Sequence, residues 1–163
     1  MKQLDKSTFA REVLAAEGTL YRVAKSILVS DSDCEDAVQN AVLRAYEKLD
    51  RLRDESYFKT WLVRILINEC YSLWRHSPAT VSYEDYSEAA QADSSRDYSE
   101  LYQAICELSP RIRVTIVLHY LEGYSVEEIK AILKIPAGTV KSRLSKGREL
   151  LKSKLEPRGF VHE

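Results

Sequence analysis

A chain of 163 residues with 45% hydrophobic side chains can fill the core of one ordinary domain or of two small ones. No apolar run approaches the roughly 18 to 20 residues of a membrane span, and the opening MKQLDKSTFA lacks the apolar core and cleavage site of a signal peptide; the chain is expected in the cytoplasm, without membrane insertion. A formal net charge of −1 says little about partners, because it hides segregation: residues 137–158 hold seven Lys or Arg against two Glu, whereas residues 76–98 hold five Asp or Glu against Arg96.

Few glycines and prolines and long stretches of 3.6-residue periodicity predict an all-α protein. A first helix is expected over Ser7–Leu28, with Phe9, Val13, Leu20, Ala24 and Ile27 on one face and Gly18 as a potential break. SDSDCED opens a second, where Ser32 and Glu35 have the spacing of a capping box, running to about Leu49 with Val38, Val42, Ala45 and Leu49 inward. Opposite lie Asp36, Asn40, Leu43 and Glu47, a single leucine among acids and an amide that suits protein docking and equally fits a lone exposed leucine.

The third helix, from about Ser56 to Arg75, is apolar over most of its circumference. Its polar strip is Tyr57, Arg64, Asn68, Tyr71 and Arg75, with Trp61 and Ser72 at the margin. Aromatic rings that stack bases, beside guanidiniums that pair phosphates, are the means of holding single-stranded nucleic acid; aromatics at a core edge are the competing reading, which the helix-turn-helix elsewhere in the chain disfavours.

Ser, Ala and acidic residues then dominate, with no face to bury, so 77–97 reads as an acidic flexible linker between domains at 1–76 and 98–158. Four shorter helices follow, at about Tyr98–Leu108, Pro110–Glu122, Val126–Leu133 and Pro136–Leu155. Ser125 caps VEEIKAIL, KIP breaks the chain, and Pro136 fits the first turn of the next helix, which together make a helix-turn-helix. At about 100° per residue, Val140, Leu144, Gly147 and Leu151 face inward and Lys141, Ser142, Ser145 and Lys146 face outward. That short cationic face suits the major groove; a merely solvated amphipathic helix is the competing reading, and the capped, Pro-bounded context favours DNA.

Over nearly its whole length the sequence resembles the extracytoplasmic-function (ECF) class of sigma factors, of the sigma-70 family. LYRVAKSILVSDSDCEDAVQNAVLRAYEKL resembles regions 2.1 to 2.2, FKTWLVRILINECYSLWR regions 2.3 to 2.4, and LSPRIRVTIVLHYLEGYSVEEIKAILKIPAGTVKSRLSKGRELL region 4. The resemblance implies a dissociable RNA polymerase subunit with a region 2 helical bundle and a region 4 helix-turn-helix. It implies that Asp36, Gln39, Asn40 and Leu43 bind core polymerase. It also implies that the melted minus 10 strand is read by Arg53, Asp54, Glu55 and Ser56 of a loop and by Trp61, Arg64, Asn68 and Ser72, beside which Tyr71 and Arg75 complete the strip. Thr139, Lys141, Ser142, Arg143, Lys146 and Arg148 are implied to read duplex at minus 35. Promoter DNA, core RNA polymerase and an anti-sigma factor are the implied partners. Glu69, Cys70 and Tyr71, and the small Ser145 and Gly147, depart from residues common in relatives, and so bear on promoter preference.

Two other readings compete. A helix-turn-helix regulator outside the polymerase would account for the C-terminal half but leave the α-helical strip of Arg64, Asn68, Tyr71 and Arg75 unexplained. An enzyme, such as a nuclease or metal hydrolase, lacks support: His76, His119 and His162 are far apart, and no HExxH or glycine-rich phosphate loop occurs. Cys34, Cys70 and Cys106 form no CxxC or Cys/His pattern, so inert thiols are expected, with no metal and no cofactor.

Overall fold

A computed structural model describes residues 4–76 and 99–156, and these contain helices and no strand. The linker expected at 77–97 lies outside the described residues. The first domain starts where the Asp5 carboxylate accepts a hydrogen bond from the Thr8 N–H at 2.7 Å, capping α1 (Lys6–Ile27). Gly18 does not interrupt this helix.

Ser30 caps α2 (Asp31–Glu47) by accepting from the Asp33 N–H at 3.3 Å. The capping box expected between Ser32 and Glu35 therefore does not form, because both residues fall inside the helix. The inward face also differs from expectation. Cys34, Ala37, Ala41 and Ala45 are fully buried, while Val38 and Val42 are only half-buried. Wedged against both α1 and α3, α2 needs small residues along its line of closest approach, and the valines flank that line.

A short 3-10 turn at Leu49–Arg51 and another at Glu55–Tyr57 lead into α3 (Phe58–His76). Phe58, Leu62, Val63, Leu66, Ile67 and Cys70 are buried, because α3 packs on α1 and α2 on one side and on the second domain on another. Phe9, Phe58 and Trp61 form an aromatic chain, with ring centroids 5.6 and 6.1 Å apart.

In the second domain, α4 (Ser99–Cys106) is followed by α5 (Pro110–Ile116), which runs on through a π-type turn at Val117–Leu121 closed by the Glu122 N–H donating to the Val117 carbonyl at 3.0 Å. Gly123 turns the chain with φ +76°. A reciprocal capping box then starts α6 (Val126–Leu133): the Ser125 hydroxyl accepts from the Glu128 N–H and the Glu128 carboxylate from the Ser125 N–H, both at 3.1 Å. Lys134 adopts the left-handed conformation, Pro136 occupies the N-cap, one position earlier than expected, and α7 (Ala137–Leu155) completes the helix-turn-helix.

The two domains share a face. α5 and the π-type turn lie on α1, and α6 lies on α3. This explains why every residue from Val23 to Val29 is buried, including Lys25, whose ammonium donates to the Val29 carbonyl at 2.9 Å and pairs with Asp31 at 2.5 Å. Arg113, 1% exposed, reaches out of α5: its Nε donates to the Ser26 carbonyl of α1 at 2.5 Å and its Nη1 to the carbonyls of Cys106 and Leu108 at 2.8 and 3.2 Å. Arg22 of α1 is ion-paired to Glu122, with a second contact from Nη2 to Oε2 at 3.2 Å.

Candidate nucleic-acid interface

The loop before α3 is shaped by Asp54, which accepts from the Ser56 N–H at 3.0 Å and from the Ser56 hydroxyl at 2.8 Å. These bonds hold the Asp54 carboxyl below its usual range. Together with the first turn of α3, the loop walls a cleft of about 400 Å³ lined by Arg53, Asp54, Tyr57, Thr60, Trp61 and Arg64, among others. Four residues expected at a strand-reading site, Arg53, Asp54, Trp61 and Arg64, thus converge. Glu55 and Ser56 are exposed beside the cleft without lining it, and Ser56 serves instead to fix the loop through Asp54. Arg51 and Thr60 also line it. Periodicity alone did not single out Arg51, because the 3-10 turn that carries it breaks the helical phase, and Thr60, in the first turn of α3, carries neither the charge nor the ring that marks the polar strip.

Further along α3, Asn68, Tyr71, Trp74 and Arg75 line a larger cleft of about 740 Å³. Tyr71 is half-buried, and burial raises its phenol pKa against the lowering charges of Arg143 and Arg111. Ser72 is half-buried and lies outside the described clefts. Of the departures noted in the sequence, Cys70 is buried and Glu69 is ion-paired to Arg44 of α2, so both belong to the packing of the bundle. Tyr71 alone of the three reaches the strip.

On α7, Lys141, Ser142, Ser145, Lys146 and Arg148 are exposed and Thr139 is half-buried, while Val140, Leu144 and Gly147 are buried and Leu151 half-buried, as the wheel expects. Ser142 donates to the Thr139 carbonyl at 3.2 Å, and Arg148 donates to the Tyr120 hydroxyl at 2.9 Å, which steadies that guanidinium at the surface. Arg143 differs from its expected neighbours. It turns away from the cationic face and lines the cleft with Asn68 and Tyr71. Gly147 has a packing reason: a Cβ there would meet Ile116 at 2.6 and 2.7 Å and Ile112 at 3.1 Å, so its small size seats α7 on α5.

On α2, Asp36, Gln39, Asn40 and Leu43 all face solvent, Leu43 being 62% exposed, and Tyr46 extends this apolar spot. Burial pushes the thiols of Cys34 and Cys106 up to about 12 and raises that of Cys70 as well. The described residues contain no cluster of His, Cys, Asp or Glu suited to a metal and no helix long and apolar enough to cross a membrane.

An aromatic, cationic cleft thus lies on one helical domain and an exposed basic helix of a helix-turn-helix on the other. Residues 13–78 match the Sigma-70 region 2 family and residues 98–151 the Sigma-70, region 4 family. The ECF RNA polymerase sigma-E factor of Escherichia coli (strain K12) is 33% identical over 147 residues, covering 79% of this chain and 77% of the relative. The ECF RNA polymerase sigma factor SigW of Bacillus subtilis (strain 168) is 30% identical over 175 residues, covering 95% and 92%. The sigma factor RpoE from Bartonella quintana, in complex with the anti-sigma factor NepR, superposes with a TM-score of 0.75 at 29% identity, covering 91% of this chain and 96% of that one. CnrH, in complex with the cytosolic domain of CnrY, shares the fold, with a TM-score of 0.73 at 24% identity over 94% and 90%. The chain belongs to the ECF sigma factors of the sigma-70 family.

Proposed function

We infer that this protein, as an ECF sigma factor, binds core RNA polymerase through Asp36, Gln39, Asn40 and Leu43 and directs initiation at promoters whose minus 10 and minus 35 elements it reads separately. Residues 1–76 act as the polymerase-binding, strand-reading unit and 98–158 as the duplex-reading unit. Arg53, Asp54, Glu55 and Ser56 with Trp61, Arg64, Asn68, Tyr71, Ser72 and Arg75 receive the opened minus 10 strand. Thr139, Lys141, Ser142, Lys146 and Arg148 meet the minus 35 duplex, and Arg143 joins them when its side chain leaves the cleft with Asn68 and Tyr71. The observation that carries this reading is the cleft where Arg53, Asp54, Trp61 and Arg64 converge, in one chain with an exposed cationic recognition helix.

The physics is binding, not catalysis by this chain. Unpairing a base costs a few kcal/mol, and a base flipped into a pocket and stacked on a ring such as Trp61 recovers about 1 to 3 kcal/mol. Tethering both domains to one polymerase makes the second DNA contact effectively intramolecular. The protein works where core polymerase works, in the cytoplasm, and the match to a sigma factor bound by an anti-sigma factor supports control by such an inhibitor.

Run-off transcription with core polymerase tests the assignment. Trp61→Ala and Asn68→Ala are expected to lower initiation at least about tenfold, the loss of one or two stacked or paired base contacts, while leaving core binding intact. Wild-type initiation by both variants contradicts the placement. Strong duplex binding with no initiation at all points instead to a helix-turn-helix regulator acting outside the polymerase.

A further inference from the structure

The cleft of about 740 Å³ beside the second half of α3 has the volume of a small-molecule site. Three guanidiniums from three different helices line it: Arg75 of α3, Arg111 of α5 and Arg143 of α7. No carboxylate shares the lining, and within the described residues none pairs with any of the three. The charges of both Arg143 and Arg111 act on the Tyr71 phenol, so they are gathered about one point. Like charges held together repel, and a polyanion placed among them removes that repulsion. Arginine at all three positions favours phosphate, because each planar fork of N–H donors meets phosphate oxygens two at a time.

The remaining lining suits a flat ring. Trp74, 36% exposed, and half-buried Tyr71 border the cavity, Leu133 and Ile135 add an apolar wall, and exposed Asn68 offers an amide donor and acceptor to the edge of a base. The core side of α3 is already filled by Leu66, Ile67 and Cys70, so Trp74 does not serve the interior of the bundle. Charge sets the number of phosphates. One inner and one terminal phosphate group together carry about −2.5 to −3 at neutral pH, which balances three guanidiniums, whereas a monophosphate leaves a cation over.

We propose that this cleft is a binding site for a purine nucleoside diphosphate, with Arg75, Arg111 and Arg143 on the phosphates, the base against Trp74 and Tyr71, and Asn68 at its edge. Trp74 and Arg111 have no part in the DNA contacts inferred above, whereas Asn68, Tyr71, Arg75 and Arg143 do. Nucleotide and promoter DNA therefore compete for one set of side chains, a consequence that rests on the sigma-factor reading although the site itself does not.

The test uses the free full chain and ADP. Titration followed by tryptophan fluorescence and by calorimetry is expected to saturate, with half-saturation below about 1 mM. Arg111→Ala, at an exposed position, is expected to weaken binding about tenfold or more, and Arg111→Lys, which keeps the charge and loses the fork, to recover only part of that loss. Trp74→Leu is expected to weaken ADP about fivefold or more, the loss of a stacking surface, while leaving the weaker affinity for inorganic pyrophosphate unchanged. No saturation below about 1 mM, full ADP affinity in Arg111→Ala, or pyrophosphate bound as tightly as ADP overturns the proposal. Run-off transcription by the wild type with core polymerase separates the two claims: normal initiation beside absent ADP binding sinks the nucleotide site alone, and absent initiation sinks the sigma-factor reading while a measured ADP affinity stands.

Discussion

Lys141 and Lys146 project from the same exposed face of α7, and no ion pair ties either of them within the described residues. If each meets one phosphate, replacing either by alanine lowers duplex binding about equally on all sequences and reduces the slope of log affinity against log salt by about 1; fluorescence anisotropy across a salt series checks this. Arg143, which lines the interdomain cleft, is expected to have a smaller effect in the free chain. Glu122 is the residue whose ionisation matters most to the join between domains. Burial raises its pKa, but hydrogen bonds from Arg22 and Thr19 and the charges of Arg22 and Lys59 outweigh that and hold it below the ordinary glutamate value. A carboxylate depressed in the folded state stabilises the closed arrangement fully above its unfolded pKa and loses that contribution as pH falls through the folded one. Acidification below the usual carboxylate range is therefore expected to enlarge the free protein before its helices melt, with scattering and circular dichroism recorded on the same samples.

Helix α7 is built around a residue with poor helix propensity. Gly147 costs roughly 1 kcal/mol relative to alanine in a helix interior, yet a methyl group there would press into Ile116 and Ile112. Overpacking of this kind costs about 1 to 3 kcal/mol, so Gly147→Ala is expected to lower stability by up to about 2 kcal/mol in thermal melts. A gain in stability of about 1 kcal/mol, the helix-propensity benefit alone, contradicts the close seating of α7 on α5. At the head of α6, Ser125→Ala removes the acceptor for the Glu128 N–H and is expected to cost about 1 kcal/mol. The elements themselves were legible from periodicity and capping chemistry, and the faces of α7 follow the wheel closely. The inward line of α2 was not. An alanine carries too little hydrophobic signal to outvote Val38 and Val42, although tight packing between two neighbouring helices selects it. Glu69 likewise reads as a departure bearing on promoter preference and is a packing residue in the fold, and Gly147, which the helical spacing places inward, is held to its small size by Ile116; both reasons lie far from these residues along the chain.

Across the whole molecule, the sequence separates two domains by composition but carries no sign that they rest on one another. That contact depends on Arg22, Glu122 and Arg113, residues about 90 to 100 positions apart, each of which looks like ordinary charge where it stands. The same is true of the cleft before α3: Trp61 and Arg64 follow from helical spacing, whereas Arg51 enters through the 3-10 turn geometry of the loop. On the far side of the first domain, exposed Leu43 and Tyr46 mark the surface that polymerase is proposed to cover. Leu43→Glu is expected to weaken association with core polymerase about tenfold or more, as burying an unpaired charge does, without altering duplex binding by the second domain. Co-purification with core enzyme reads the first effect and anisotropy the second. The most direct measurement of all is to add the purified protein to bare core polymerase on a library of promoter fragments and sequence the 5′ ends of the transcripts. New starts that share one pair of upstream elements are the predicted result; no new starts on any fragment would contradict the account.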